Sequence, residues 1–125
     1  MLKSLTAIFS VLALLAGAVI FEHFFVQTNF VHFHEELTAL YEKVDADEAN
    51  VEDARAVCNA WEARKEQLQV FLPHNDVARV DLHLSEAVRL IGEGERSLAL
   101  AKLETLLNLA ATFPQAYRAT PANIF

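Results

Sequence analysis

Trp61, Lys65, His74 and Asp76 bring an indole, an ammonium, an imidazole and a carboxylate into one short stretch of this chain. On a helix, Trp61 and Lys65 stand one turn apart on the same face, which suits stacking on, or ion pairing with, a ligand or partner. The same pair also serves packing: the indole fills a core while the lysine stem lies along the ring and its ammonium reaches solvent or a carboxylate. His74 follows Pro73 at a corner, where an imidazole meets exposed helix-end groups. With Asp76 it makes a candidate pH- or metal-responsive corner. Both readings of Trp61 to Asp76, a structural cluster and a ligand- or pH-sensing region, stand on the residues alone.

Other reactive types fit known sites less well. A di-iron bundle needs Glu-x-x-His on two helices, and no histidine here has a glutamate three positions before it. His34-Glu35-Glu36-Leu37-Thr38 opens like a zinc-protease helix and lacks the second histidine. His32 with Glu35 and Glu36 shares a helix face that reads more simply as solvated. The carboxylates between Glu42 and Asp53 include no glycine and no calcium-loop pattern, so they read as a solvated turn. Outside the apolar N-terminal run the serines are Ser85 and Ser97, and neither sits in a glycine-rich elbow or phosphate loop. Cys58 has no second cysteine to pair with and falls on an apolar seam, where a thiol acts as a small hydrophobe. Neither an enzyme nor a cofactor is expected.

The elements that hold these residues follow from composition. In 125 residues there are three glycines and three prolines, with 54% hydrophobic content, which leaves one small all-α domain. The formal charge of −7 disfavours nucleic acid, since phosphate requires a basic face. Scattered basic residues likewise give no patch for anionic lipid.

From Ser4 to Phe21 the chain is uncharged, and as a helix this run spans about 27 Å, just enough to cross the hydrocarbon of a bilayer. Residues 1–27 are therefore expected to form a membrane anchor, with lipid contacted through residues 4–21. Lys3 precedes the run and the next basic residue is Lys43, so the positive-inside bias places the N-terminus in the cytoplasm and the remainder outside it. A cleaved signal peptide is the competing reading. Leu5 to Leu15 supplies an apolar core and Ala16-Gly17-Ala18 a small-x-small site, with secretion after cleavage near Ala18. Against it, apolar residues continue through Phe21 and resume at Phe24-Phe25-Val26.

Between Gly17 and Pro73 there is no glycine or proline, so nothing local breaks the helix where the membrane ends. Phe30, Phe33, Leu37, Leu40 and Val44 recur at the spacing of a helix packed on helices. Val51, Ala54, Cys58, Trp61, Lys65, Leu68 and Leu72 repeat it, with Asp45 and Glu48 forming a near capping box ahead and Pro73 stopping the run. His74 or Asn75 is expected to cap a third helix facing inward through Val77, Val80, Leu84, Ala87, Val88 and Ile91. Gly92 suits the left-handed residue of the next corner. A fourth helix then presents Leu98, Ala99, Leu103, Leu106, Leu107, Ala110 and Phe113 and ends at Pro114. The predicted architecture is an N-terminal transmembrane helix continuing into an up-down-up-down four-helix bundle over residues 28–125, with helices at about 28–45, 49–72, 75–91 and 94–113. A tail closing on Asn123-Ile124-Phe125 is expected to dock on it. Tandem helix hairpins of the tetratricopeptide kind are the alternative, weakened because only one such pair is present.

Trp61, Lys65, Leu68, Phe71, Leu72, His74 and Asp76, in the order W-x-x-x-K-x-x-L-x-x-F-L-x-H-x-D, resemble the central motif of a family of small bacterial membrane-anchored proteins, domain of unknown function 4363. The resemblance extends over the apolar N-terminal segment, the third and fourth helices with Ala99 and Leu103, and Asn123-Ile124-Phe125. It implies a single-pass, all-helical protein and supplies no catalytic residues. The expected function is a membrane-tethered, extracytoplasmic interaction module meeting a protein partner at the membrane. The alternative is a ligand- or pH-sensing bundle using Trp61 to Asp76.

Overall fold

A computed structural model of the chain describes residues 2 to 116, so the expected docking of Asn123-Ile124-Phe125 lies outside the described residues. The helices are α1 (Leu2–Asp45), α2 (Val51–Leu68), α3 (His74–Gly92) and α4 (Arg96–Ala116). Each packs on its neighbours in sequence, and α4 closes the ring against α1. This is the up-down-up-down four-helix bundle, with α1 running far beyond it.

α1 changes character along its length without a break. An 18-residue window of its first half has a mean hydropathy of 2.4 and buries nothing, making α1 long and apolar enough to cross a membrane. From Val26 the apolar residues narrow to a seam, and Val26, Phe30, Phe33, Leu37, Leu40 and Val44 are all buried. Opposite this seam lie Trp61 and Leu68 of α2, Val77, Val80 and Leu84 of α3, and Ala99, Leu103, Leu106, Ala110 and Phe113 of α4. Burying one such large side chain stabilises the fold by about 1.5–3 kcal/mol.

The corners depart from expectation in several places. α1 ends in a Schellman turn: Glu48 N–H donates to the Lys43 carbonyl and Asp47 N–H to that of Val44, with Asp47 left-handed at φ 60°. That turn carries the chain past Asp45, so the N-cap of α2 is Asn50 rather than Asp45. Asn50 Oδ1 accepts from the Asp53 amide at 3.0 Å and Asp53 Oδ2 from the Asn50 amide at 3.1 Å, a complete capping box. α2 stops at Leu68 rather than Leu72: the Gln69 N–H makes the last bond, to the Lys65 carbonyl, and the N–H groups of Phe71 and Leu72 both turn back to the Leu68 carbonyl ahead of Pro73. Neither His74 nor Asn75 caps α3; Pro73 occupies the N-cap with no side-chain bond, and His74 is already helical. At the next corner a second Schellman turn uses Gly94, at φ 75°, rather than Gly92, since α3 runs on through Gly92. α4 continues past Pro114 to Ala116, although proline has no N–H to donate to the Ala110 carbonyl.

Three seam assignments also shift. Val57 is buried where Cys58 was expected, with Cys58 half-buried beside it; Leu90 is buried where Ile91 was expected, with Ile91 half-buried; and Leu98 is exposed while Ala99 takes the inward position. Polar cross-links fix the register of the helices. Arg64 grips Glu36 through two bonds of 2.7 Å between α2 and α1, Lys102 meets Glu86 at 2.6 Å between α4 and α3, and the Tyr41 hydroxyl donates to Glu104 at 3.0 Å between α1 and α4. Arg96 of α4 donates to the Val44 and Asp45 carbonyls, satisfying the exposed end of α1.

Candidate functional site

Trp61 reaches the bundle centre because α2, held by its capping box, turns that position toward α1. The indole is 1% exposed, stacked on Phe33 with centroids 4.8 Å apart and tilted against Phe30 at 6.3 Å. A buried indole N–H needs an acceptor, and Trp61 Nε1 donates to Asp81 Oδ1 of α3 at 2.7 Å. Asp81 is the residue that sequence reasoning missed. One position after Val80, a lone aspartate reads as solvated face. The available signal was the pairing of two polar oddities, Lys65 inside one seam and Asp81 at the rim of the next.

Lys65 completes the cluster. Its ammonium lies 2.8 Å from Glu62 Oε2 and 3.3 Å from Asp81 Oδ2, with the side chain only 18% exposed. The hydrogen bond that Lys65 donates to Glu62, then that to Asp81, holds its pKa above the usual range against the opposing effect of burial. Nucleophilic lysines require a lowered pKa, so this environment stabilises a charge rather than releasing a nucleophile. Cys58, one turn before Glu62, has its thiol pushed up by burial and then by the carboxylates of Glu62 and Asp81, which keeps it protonated.

The four sequence candidates are thus only partly brought together. Trp61 and Lys65 converge, but on Asp81. His74 and Asp76 occupy the first turn of α3, His74 exposed and Asp76 half-buried. His74 precedes Asp81 by about two helical turns, roughly 10 Å along the axis. Elsewhere, His32 Nδ1 and Glu35 Oε2 approach at 3.7 Å on an exposed face, and among the described residues no group of three His, Cys, Asp or Glu converges as ligands for a metal. Within the acidic corner, Asp53 is committed to the α2 cap and to Lys43, and its carboxyl is held below the usual range by the Asn50 amide and then by Lys43.

Open space lies on another side of the bundle. A groove of about 400 Å³ runs between α1 and α4, lined by Gln27, Phe30, Val31, His34, Glu35, Ala110 and Ala111. A smaller one of about 240 Å³ follows α1 and α2 beside Glu36, Leu40, Lys43 and Val57. Trp61 and Lys65 line neither. In the larger groove, small alanines opposite the exposed side chain of Val31 leave room for a side chain from outside. Comparisons with family models, with curated proteins and with solved structures gave no match to this chain.

Proposed function

We propose that the chain is a membrane-tethered interaction module. Residues 4–21 cross the bilayer, Lys3 keeps the N-terminus cytoplasmic, and the bundle stands outside and meets a protein partner. The observation that carries this reading is the division of α1, whose first half buries nothing while its continuation is the central seam of the bundle. The resemblance of the Trp61 to Asp76 motif to domain of unknown function 4363 accords with it. For the docking face, the α1–α4 groove is favoured over the Trp61 region, because both the face and the N–H of the indole already have partners within the protein.

Membrane fractionation tests the tether. The intact chain should resist alkaline carbonate extraction, and recovery of the untruncated polypeptide from the soluble cytosol would falsify the reading. The intact mass of the mature protein discriminates the competing reading, since a chain starting near Val19 indicates secretion after cleavage. Photo-cross-linking in intact membranes, followed by mass spectrometry, tests the face: adducts are expected from a probe at Val31 and not from one at Leu82 on α3. Equal labelling from the two positions removes the groove from the proposal.

A further inference from the structure

The bundle is polarised from end to end in a way that packing does not demand. At the end where α1 leaves it, three stretches carry no Asp, Glu, Lys or Arg: His23 to His34 of α1, Gln67 to Asn75 across the α2–α3 corner, and Thr105 to Phe113 of α4. At the opposite end gather Asp45, Asp47, Glu48, Glu52, Glu93 and Glu95. The same end also holds Val70, 79% exposed at the tip of the α2–α3 corner and, among the described residues, the most exposed large apolar side chain beyond the apolar half of α1. Next to it, the Phe71 ring packs on Phe25 at 5.5 Å, and Phe25 stacks on Phe21 at 5.7 Å. A path of ring contacts, Phe71 to Phe25 to Phe21, therefore joins the corner to the exposed surface of α1, with Glu22 exposed beside it.

We propose that the α2–α3 corner is a second lipid contact, through which Val70 and Phe71 seat the bundle on the interfacial layer of the same membrane that α1 crosses. This rests on the tether reading. Distance supports it: Phe25 lies four residues beyond Phe21, about 6 Å along the helix, and the polar layer of each leaflet is about 5–7 Å deep. The Phe71 ring, in contact with Phe25, falls within that layer, and Val70 caps the same reversal of the chain. The acidic corners, a bundle length away, are kept from anionic headgroups.

The test uses the full-length chain in phosphatidylcholine–phosphatidylglycerol vesicles, with an environment-sensitive fluorophore on single cysteines in a Cys58→Ser background whose helicity and cooperative melting match those of the unmodified protein. Labels go at Ile8→Cys, Val70→Cys, Leu82→Cys and Glu48→Cys, and lipids carry nitroxides at shallow or deep positions. The expected result is loss of emission at 70 with the shallow nitroxide and at 8 with the deep one, with none at 82 or 48. Unquenched emission at 70 beside quenching at 8 overturns the second contact and leaves the tether intact. Unquenched emission at 8 overturns the tether and this contact with it. Quenching at 82 equal to that at 70 means that the bundle lies on its side, which also overturns the proposal.

Discussion

The two halves of α1 share one backbone, one rise per residue and a similar load of Leu, Val and Phe, yet one is bare and the other carries a continuous buried seam from Val26 to Val44. What separates them is phase. Up to Phe21 the apolar residues point in every direction, so four-helix packing could cover only a fraction of them. From Val26 they return at intervals of three and four, and each falls in line with the last. Hydrophobicity determines that a helix must be covered, and periodicity determines what can cover it.

Substitutions at matched positions in the two halves should diverge most. Leu37→Asp places an unpaired carboxylate at a site with 0% exposure and is expected to abolish cooperative unfolding of the bundle. Phe33→Ala removes the ring stacked on Trp61 and should cost about 3–5 kcal/mol, read from denaturant midpoints in detergent. Leu12→Ala, on the bare half, should leave that midpoint unchanged within about 0.5 kcal/mol. A comparable loss at Leu12 would show that the bare half is packed in solution.

The polar ties around the seam come next in size. Asp81→Ala leaves the buried Trp61 N–H without an acceptor and should cost about 1–2 kcal/mol, moderated because the carboxylate is 35% exposed. Lys65 adds a pH signature. Its folded pKa is raised above 10.5, so its contribution is complete below that pH and is lost as pH climbs through the folded value. Melting temperature should therefore fall less between pH 10 and 12 in Lys65→Met than in the parent. Glu86 behaves oppositely. Lys102 holds its carboxyl below 4.5, so that tie is present above pH 4.5 and fails as acid carries pH through the lower folded value, a decline that Glu86→Gln should flatten.

The smallest effect concerns the end of the buried half. Asp47 holds the left-handed position that Gly94 holds at the neighbouring corner, and a side chain there is strained. Asp47→Gly should raise stability by up to about 1 kcal/mol, and a loss would mean that its carboxylate compensates the strain.

The seam from Phe30 to Val44 was legible because a period is written in sequence, and the order of the helices followed from short connections. Cap positions were less so. Asp45 to Glu48 read as a helix start, whereas the cap that forms is Asn50 with Asp53, because Asp47 accepts a conformation normally given to glycine. For Lys65 the sequence left solvent and a carboxylate equally open, and the meeting with Asp81 depended on the angle at which α2 and α3 face each other. No spacing within a single helix contains that angle.

The absence of glycine and proline between residues 17 and 73 also makes α1 a stiff crank rather than a leash. Each added residue turns a helix by about 100° and advances it by about 1.5 Å. One alanine inserted after His23 would therefore leave both halves folded and swing the α1–α4 groove through more than a quarter turn relative to the first half. The azimuth at which the bundle presents itself is thus set by residue count, and a single codon is enough to reset it.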